Sequence, residues 1–100
     1  MDYPDLIRKW AEDRNLIEGS DFKSQFVKLI EEAGELANAI AKNNRDEFAD
    51  AIGDMFVVLT IMAAQNGMGI EDCIAGAYNE IKHRKGRMVD GIFIKEAGDV

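Results

Sequence analysis

The sequence predicts an all-α fold, a compact antiparallel helical bundle of about four helices followed by a short extended C-terminal segment. Apolar residues recur at the 3.6-residue spacing of amphipathic helices over most of the chain. No stretch alternates apolar and polar residues over enough length to build a sheet, and there is a single proline. Short connections favour antiparallel neighbours. At 100 residues, the chain is expected to form one domain spanning residues 1–100.

Two helices are predicted in the first half of the chain. Pro4 suits the first turn of a short helix, and Gly19-Ser20 interrupts the pattern after it. Ser20 or Asp21 can cap the second helix. The apolar positions of the short helical stretch are Leu6, Ile7, Trp10 and Leu16, and those of the second helix are Phe22, Phe26, Leu29, Ile30, Ala33, Leu36, Ala37 and Ile40.

Two further helices and an extended segment are predicted in the second half. Asn43-Asn44 forms a turn whose second asparagine can cap a third helix, and that helix ends near Asn66-Gly67. Gly69 precedes a fourth helix from Ile70 to about Lys85. The segment Arg87–Lys95 is predicted to be extended or a small hairpin, and the last residues are expected to fray.

Charge and composition exclude several classes of protein. A net charge of −7 and a pI near 4.6 argue against a protein that coats nucleic acid, which needs a basic face. The longest run without charged residues, Met55–Ile70, is too short and too interrupted to span a membrane. A single cysteine, Cys73, and the absence of a secretory signal fit a cytoplasmic protein. Because a small chain with 47% hydrophobic residues is marginally stable alone, we expect its subunits to pair.

Seven carboxylates lie between positions 31 and 54, offset by only two basic residues. Those at i, i+3 spacing share one side of a helix, as do Glu32 and Glu35 on the second helix and Glu47 and Asp50 on the third, with Asp54 one turn further on. The stripe that carries the acids of the third helix becomes apolar towards its end, so these acids are expected to be semi-buried and to need neutralisation.

A divalent cation is the direct way to neutralise such a group of acids. Oxygen donors from two helices suit Mg²⁺ or Mn²⁺, whereas zinc prefers nitrogen and sulfur. The alternative is a solvated face, in which Asp46 and Glu47 simply complement the positive end of the helix dipole. Asp50 and Asp54 lie beyond the first turn, where that explanation weakens.

A basic segment, Lys82–Arg87, reverses the local sign of charge. Four of the twelve Lys and Arg residues fall in these six positions. Such side chains can hold phosphate oxygens and stabilise a leaving pyrophosphate. The alternative is a basic helix C-terminus that complements the dipole.

The acidic motifs resemble a known signature. Glu31-Glu32-Ala33-Gly34-Glu35-Leu36 followed by Glu47-Phe48-Ala49-Asp50 resembles the Glu-Glu-x-x-Glu … Glu-x-x-Asp pattern of MazG-like all-α nucleoside triphosphate pyrophosphohydrolases. Asn79-Glu80-Ile81-Lys82, with Arg84 and Arg87, resembles the Asn-x-x-Lys and arginine segment of the same superfamily. The resemblance extends from about Phe22 to Arg87.

The resemblance implies a helical bundle that assembles as a homodimer or a homotetramer, with Mg²⁺ as the cofactor and Mn²⁺ as a substitute. It implies Glu31 and Glu32 as catalytic residues, with Glu31 assisting or acting as the base that activates water. The implied metal ligands are Glu32, Glu35, Glu47 and Asp50, to which we add Asp54. The implied phosphate- and nucleotide-binding residues are Asn79, Lys82, Arg84 and Arg87.

The leading hypothesis is therefore an enzyme that hydrolyses a nucleoside triphosphate, NTP or dNTP, to the monophosphate and pyrophosphate in nucleotide-pool housekeeping. The first alternative is a non-catalytic metal- or nucleotide-binding helical module that acts through protein contacts. The second is a purely structural dimerising bundle, in which neutralising an acid stabilises the fold and has no other effect.

Overall fold

The computed structural model describes residues 1–96, and within them the chain forms four helices and one β-hairpin. The all-α helical bundle with a short extended C-terminal segment, which the sequence predicts, is confirmed. The helices are α1 (Tyr3–Asp13), α2 (Phe22–Lys42), α3 (Arg45–Gln65) and α4 (Ile70–Ile81), and the strands are β1 (Gly86–Val89) and β2 (Ile92–Lys95).

Contacts divide the chain into two compact units, the first being Met1–Ile70 and the second beginning at Glu71. Each unit is described by itself, and the expectation of one domain stays a prediction. The expected fraying of the last residues concerns positions 97–100, which lie outside the described residues. Among residues 1–96, no helix has the length and hydrophobicity that a membrane span requires.

Side-chain caps fix where the first three helices begin. The backbone N–H three residues further on donates to the side-chain oxygen of Asp2 (3.0 Å), Asp21 (2.7 Å) and Asn44 (3.1 Å). Of the two predicted candidates for the cap of α2, Ser20 and Asp21, the structure therefore selects Asp21. Helix α2 ends at Lys42, and the capping residue Asn43 adopts the left-handed conformation (φ 55°) that asparagine tolerates.

The core of the first unit lies between α2 and α3, with α1 packed against α3. Because only Asn43-Asn44 connects α2 to α3, the two helices run antiparallel, side by side. Small side chains are buried on all three helices, among them Ala11, Ala39 and Ala51, so the backbones can approach closely. Ile61 is 3% exposed, as expected for the apolar end of the α3 stripe.

The second unit contains α4 and the hairpin. The helix ends at Ile81, before the predicted end near Lys85, because Lys85 extends the hairpin: its carbonyl oxygen accepts a hydrogen bond from the N–H of Glu96 (2.8 Å). Asp90 and Gly91 form a two-residue turn with positive φ at both positions (50° and 81°), the conformation that tight hairpins favour. The antiparallel register pairs Gly86 with Lys95, Arg87 with Ile94, Met88 with Phe93, and Val89 with Ile92.

Several large apolar side chains of the first unit are exposed in the single chain. Phe26, Ile30 and Ile40 on α2 are 51%, 55% and 62% exposed, and Ile52 on α3 is 48% exposed. Three of these belong to the helical apolar pattern of α2, so one copy leaves part of that pattern in water. Such exposure is typical of a surface that meets another protein surface, and subunit pairing stays a prediction.

Candidate metal centre

Three carboxylates from two helices meet in the first unit. Glu32 and Glu35 lie on the same side of α2 because they are three residues apart. Asp54 lies on α3, which packs against α2. Each residue contributes one carboxylate oxygen, and the three oxygens lie within 4.8 Å of one another. We call Glu32, Glu35 and Asp54 the acidic cluster.

The position of the turn explains why these residues meet. Glu32 lies 11 residues before Asn43, and Asp54 lies 10 residues after Asn44. In an antiparallel pair of helices, residues at similar distances from the connecting turn lie at the same level. Glu47 lies only three residues after the turn. Along the axis of α3 it is therefore roughly 10 Å nearer the turn than Asp54.

Glu32 is the most buried acid of the cluster, with only 4% of its surface exposed. Its Oε1 atom forms an ion pair with Nζ of Lys28, at 3.1 Å. Its Oε2 atom is buried and has no hydrogen-bond partner among the residues that the structure describes. Leaving a buried acceptor without a partner is unfavourable, and more so when the acceptor is charged. The surroundings of Oε2 therefore favour a bound cation or a proton.

The pKa values of the cluster reflect the same crowding. Burial raises the pKa of Asp54, and the negative charges of Asp50 and Glu32 raise it further. The hydrogen bond and the charge of Glu32 raise the pKa of Glu35. The hydrogen bond from Lys28 lowers the pKa of Glu32 against the opposing effect of burial. A hydrogen bond between two carboxyl groups needs a proton on one of them, so this bond is absent when the cluster is fully ionised.

The chemistry of these donors fits Mg²⁺ or Mn²⁺. All three donors are carboxylate oxygens, which hard divalent cations prefer, and the oxygens are already close together. None of the three residues is a histidine or a cysteine, the residue types that would favour zinc. A divalent ion at this position would give Oε2 of Glu32 the positive partner that the described residues do not provide.

The acids near the start of α3 line an adjoining cavity. This cavity has a volume of about 320 Å³ and is lined by Glu35, Asn38, Lys42, Glu47 and Asp50. We call it the acidic cavity. Nζ of Lys42 lies 3.9 Å from a carboxylate oxygen of Glu47. Because Glu35 belongs to both the acidic cluster and this cavity, the two adjoin each other.

An apolar cavity adjoins the other side of the acidic cluster. It has a volume of about 380 Å³ and is lined by Leu6, Ile7 and Trp10 of α1 and by Asp54 and Val57 of α3. Trp10 is 45% exposed, and the guanidinium of Arg14 stacks over its indole ring at 4.5 Å from the ring centroid. Asp54 therefore links the acidic cluster to an apolar surface.

The predicted metal ligands thus fall into two groups. Glu32, Glu35 and Asp54 share one cluster, whereas Glu47 and Asp50 line the acidic cavity with Glu35. Glu31 is exposed on α2, where a carboxylate oxygen lies 3.9 Å from Nζ of Lys28. The metal and catalytic roles of these residues stay predictions.

The predicted phosphate-binding residues all lie in the second unit. Asn79 is exposed on α4, Lys82 and Arg84 follow the end of that helix, and Arg87 is on β1. Arg84 is half-buried, whereas Lys82 and Arg87 are exposed. Their predicted role in holding phosphate also stays a prediction.

Sequence reasoning missed Lys28, and it assigned Trp10 to the apolar pattern of the first helix rather than to the site. Lys28 could have been found, because it precedes Glu32 by one helical turn and opposite charges at this spacing attract. Trp10 gives no comparable signal, since nothing in the pattern of α1 indicates that its apolar face borders Asp54.

Comparison with known proteins gives a family match. Residues 21–89, more than half of the chain, match the sequence profile described as the MazG nucleotide pyrophosphohydrolase domain. Over 60 residues the chain is 57% identical to an uncharacterized 18.2 kDa protein from the rep-hol intergenic region of Haemophilus phage HP1 (strain HP1c1). That match covers 60% of this chain and 37% of the phage protein, so the chain matches well under half of its relative. No solved structure matches the chain significantly. Because the matched profile spans the acids of α2 and α3 and the segment from Asn79 to Arg87, the chain belongs to the family of MazG nucleotide pyrophosphohydrolase domains.

Proposed function

We propose that this chain hydrolyses a nucleoside triphosphate, NTP or dNTP, to the monophosphate and pyrophosphate in a Mg²⁺-dependent reaction. Members of its family act on nucleotides with the help of divalent metal. One observation carries the proposal for this chain: the buried Oε2 of Glu32 has no hydrogen-bond donor among residues 1–96 and lies in a cluster with two further carboxylates. A divalent ion, which a nucleotide triphosphate also needs, resolves this arrangement.

The acidic residues have different roles in this proposal. Glu32, Glu35 and Asp54 hold the ion, and Glu47 and Asp50 extend the set of oxygen ligands along the acidic cavity. Bound Mg²⁺, or Mn²⁺ in its place, lowers the pKa of water and neutralises phosphate charge. Glu31 accepts the proton of the attacking water, for which an exposed carboxylate next to Glu32 is suited. The bond between the α- and β-phosphates then breaks, and pyrophosphate leaves.

Two sets of residues are candidates to bind the base and the phosphates of the nucleotide. The apolar cavity adjoins Asp54 and contains an aromatic ring, so we propose that it accepts the base and that Trp10 stacks on it. The basic residues Lys82, Arg84 and Arg87, together with Asn79, are proposed to contact the phosphates, because their charge opposes that of the substrate.

Assembly and compartment are also part of the proposal. The exposed apolar side chains of α2, such as Ile30 and Ile40, support a homodimer or homotetramer. Cys73 is a free, exposed thiol, which is compatible with the reducing cytoplasm. A role in nucleotide-pool housekeeping is proposed from the family.

The decisive experiment is a panel of all NTPs and dNTPs incubated with purified protein and Mg²⁺, with pyrophosphate and orthophosphate measured separately. We expect pyrophosphate as the product, no turnover in excess chelator, and recovery on addition of Mn²⁺. Glu35→Gln and Asp50→Asn are expected to lower kcat/KM by at least about 100-fold, because each removes a charge that faces the metal or phosphates. Asp46→Asn, an exposed neutralisation on the same helix, is the matched control and should retain activity.

Two results would contradict the proposal. Folded protein that stabilises in Mg²⁺ and binds nucleotide without releasing product would instead favour the non-catalytic module. Release of orthophosphate in place of pyrophosphate would mean that a different phosphate bond is cleaved.

A further inference from the structure

Lys28 is the one basic side chain that the described part of the chain places in an ion pair with the acidic cluster. It lies on α2, one helical turn before Glu32. Its Nζ atom is 3.1 Å from Oε1 of Glu32 and 3.9 Å from a carboxylate oxygen of Glu31. The lysine side chain is 54% exposed, whereas that of Glu32 is 5% exposed. The partly exposed side chain of Lys28 therefore contacts one oxygen of the buried Glu32 carboxylate.

The two oxygens of Glu32 have different surroundings. Oε1 accepts from Lys28, whereas Oε2 is buried without a hydrogen-bond partner in residues 1–96. The terminal torsion of a glutamate side chain is broad, so a carboxylate without a partner rotates easily. The ion pair limits this rotation, because turning the carboxylate would break the contact at Oε1. Oε2 is thus kept as the free oxygen of the cluster.

We propose that Lys28 is a positioning residue for the metal centre, holding Oε1 of Glu32 so that Oε2 is presented to a divalent ion together with Glu35 and Asp54. The inference rests on the proposed function in one respect, namely that the acidic cluster is the metal site. Groups that orient ligands in this way commonly change metal affinity by about 10–100-fold when they are removed.

The positive charge of Lys28 acts in the opposite direction, because it repels a divalent ion. Exposed charges interact weakly, and a pair of them changes an equilibrium by less than about fivefold. Since the lysine side chain is more than half exposed, this repulsion is screened by solvent. The loss of an ordered, buried ligand oxygen is therefore the larger effect, and removing Lys28 should weaken metal binding.

The test is calorimetric titration of the full chain with Mn²⁺ and with Mg²⁺, without nucleotide, for wild type and three variants. We expect Lys28→Met to weaken affinity by about tenfold or more. Lys28→Arg should stay within about threefold of wild type, because a guanidinium can donate to the same oxygen. Lys23→Met removes an exposed lysine earlier on α2 and should leave affinity unchanged.

A second measurement separates positioning from a general effect on folding. In the Glu32→Gln background the oriented carboxylate is gone, so adding Lys28→Met should change Mn²⁺ affinity little further. An equal loss in both backgrounds would overturn the proposal. If Lys28→Met does not fold, Lys28→Gln at matched thermal stability takes its place, with weakened Mn²⁺ binding expected.

Failure of this inference and failure of the proposed function give different results. If wild type binds neither ion and hydrolyses no nucleotide, the metal centre itself is wrong. If wild type binds Mn²⁺ and Lys28→Met binds it equally or more tightly, only the role of Lys28 is wrong, because the lysine would then be a bystander or a competitor of the metal.

Discussion

Replacing Asp54 by asparagine should stabilise the metal-free protein and destabilise the metal-bound protein relative to wild type. Oxygens of Asp54 and Glu32 lie within 4.8 Å, and two unit charges at that separation repel by about 3.5 kcal/mol at an effective dielectric constant of about 20. Solvent around the half-exposed Asp54 and the charge of Lys28 reduce this repulsion, so we expect a gain of about 1–2 kcal/mol. The new amide can also donate to Oε2 of Glu32.

The pH dependence of this gain follows from the pKa of Asp54. Burial and the neighbouring charges raise that pKa in the folded chain, so ionised Asp54 destabilises the fold above its ordinary pKa, and protonation removes the penalty. The advantage of Asp54→Asn should therefore be full near pH 7 and should disappear as the pH falls below about 4.

The assay is thermal and urea unfolding at fixed protein concentration, in chelator and in excess Mg²⁺. In chelator at pH 7, the variant should melt about 4–8 °C higher per kcal/mol gained. Wild type should gain about 2.7 kcal/mol at a free Mg²⁺ concentration 100 times its Kd, and the variant much less, so the order of stability reverses. Asp46→Asn, at the exposed start of α3, is the control and should lose slightly in both conditions, because it removes a favourable helix-dipole interaction.

The reasoning is refuted if Asp54→Asn is less stable than wild type in chelator at pH 7. It is also refuted if Mg²⁺ stabilises both proteins equally, because the acidic cluster would then not be the site at which the ion acts.

Three further predictions concern the base, the turn and the metal. Trp10 is the single tryptophan of the chain, so its fluorescence should change when nucleotide binds with Ca²⁺ in place of Mg²⁺. Trp10→Ala should raise KM by about 5–150-fold with a smaller effect on kcat. Unchanged fluorescence at saturating nucleotide would exclude stacking. Asn44→Ala removes the cap of α3 and should lower the free energy of unfolding in urea by about 1 kcal/mol. Asn43→Gly, at a position with positive φ, should leave that free energy nearly unchanged. Equal losses for the two variants would contradict the cap assignment. Because burial and charge raise the pKa of Asp54, protons compete with the metal, so Mn²⁺ affinity measured by titration should fall as the pH drops from 7 towards about 4, the ordinary pKa of an aspartate. A flat profile over this range would count against Asp54 as a ligand.

Local features of the fold could be predicted because they depend on neighbouring residues in the chain. Residue type predicts the caps at Asp21 and Asn44. Helical spacing places the exposed acid Glu35 one turn after Glu32 on the same side of α2. The predicted end of α4 lies too far along the chain. Lys85 instead accepts a hydrogen bond from Glu96 and extends the hairpin, and the sequence pattern does not reveal that pairing. Spacing alone also left open which acids of α3 face α2.

The sequence by itself determined the helices, the turn between α2 and α3, the excess of negative charge and the face of α2 that carries Glu32 and Glu35. Only the tertiary structure decided that Asp54 completes their cluster while Glu47 lies nearer the turn, and that Trp10 of α1 borders the same site. The physical reason is that helical periodicity fixes the direction of a side chain around its own helix axis, whereas the side of α3 that faces α2 and the position of α1 depend on how the side chains pack. That packing also buried one oxygen of Glu32 without a partner, which no count of acidic residues could reveal.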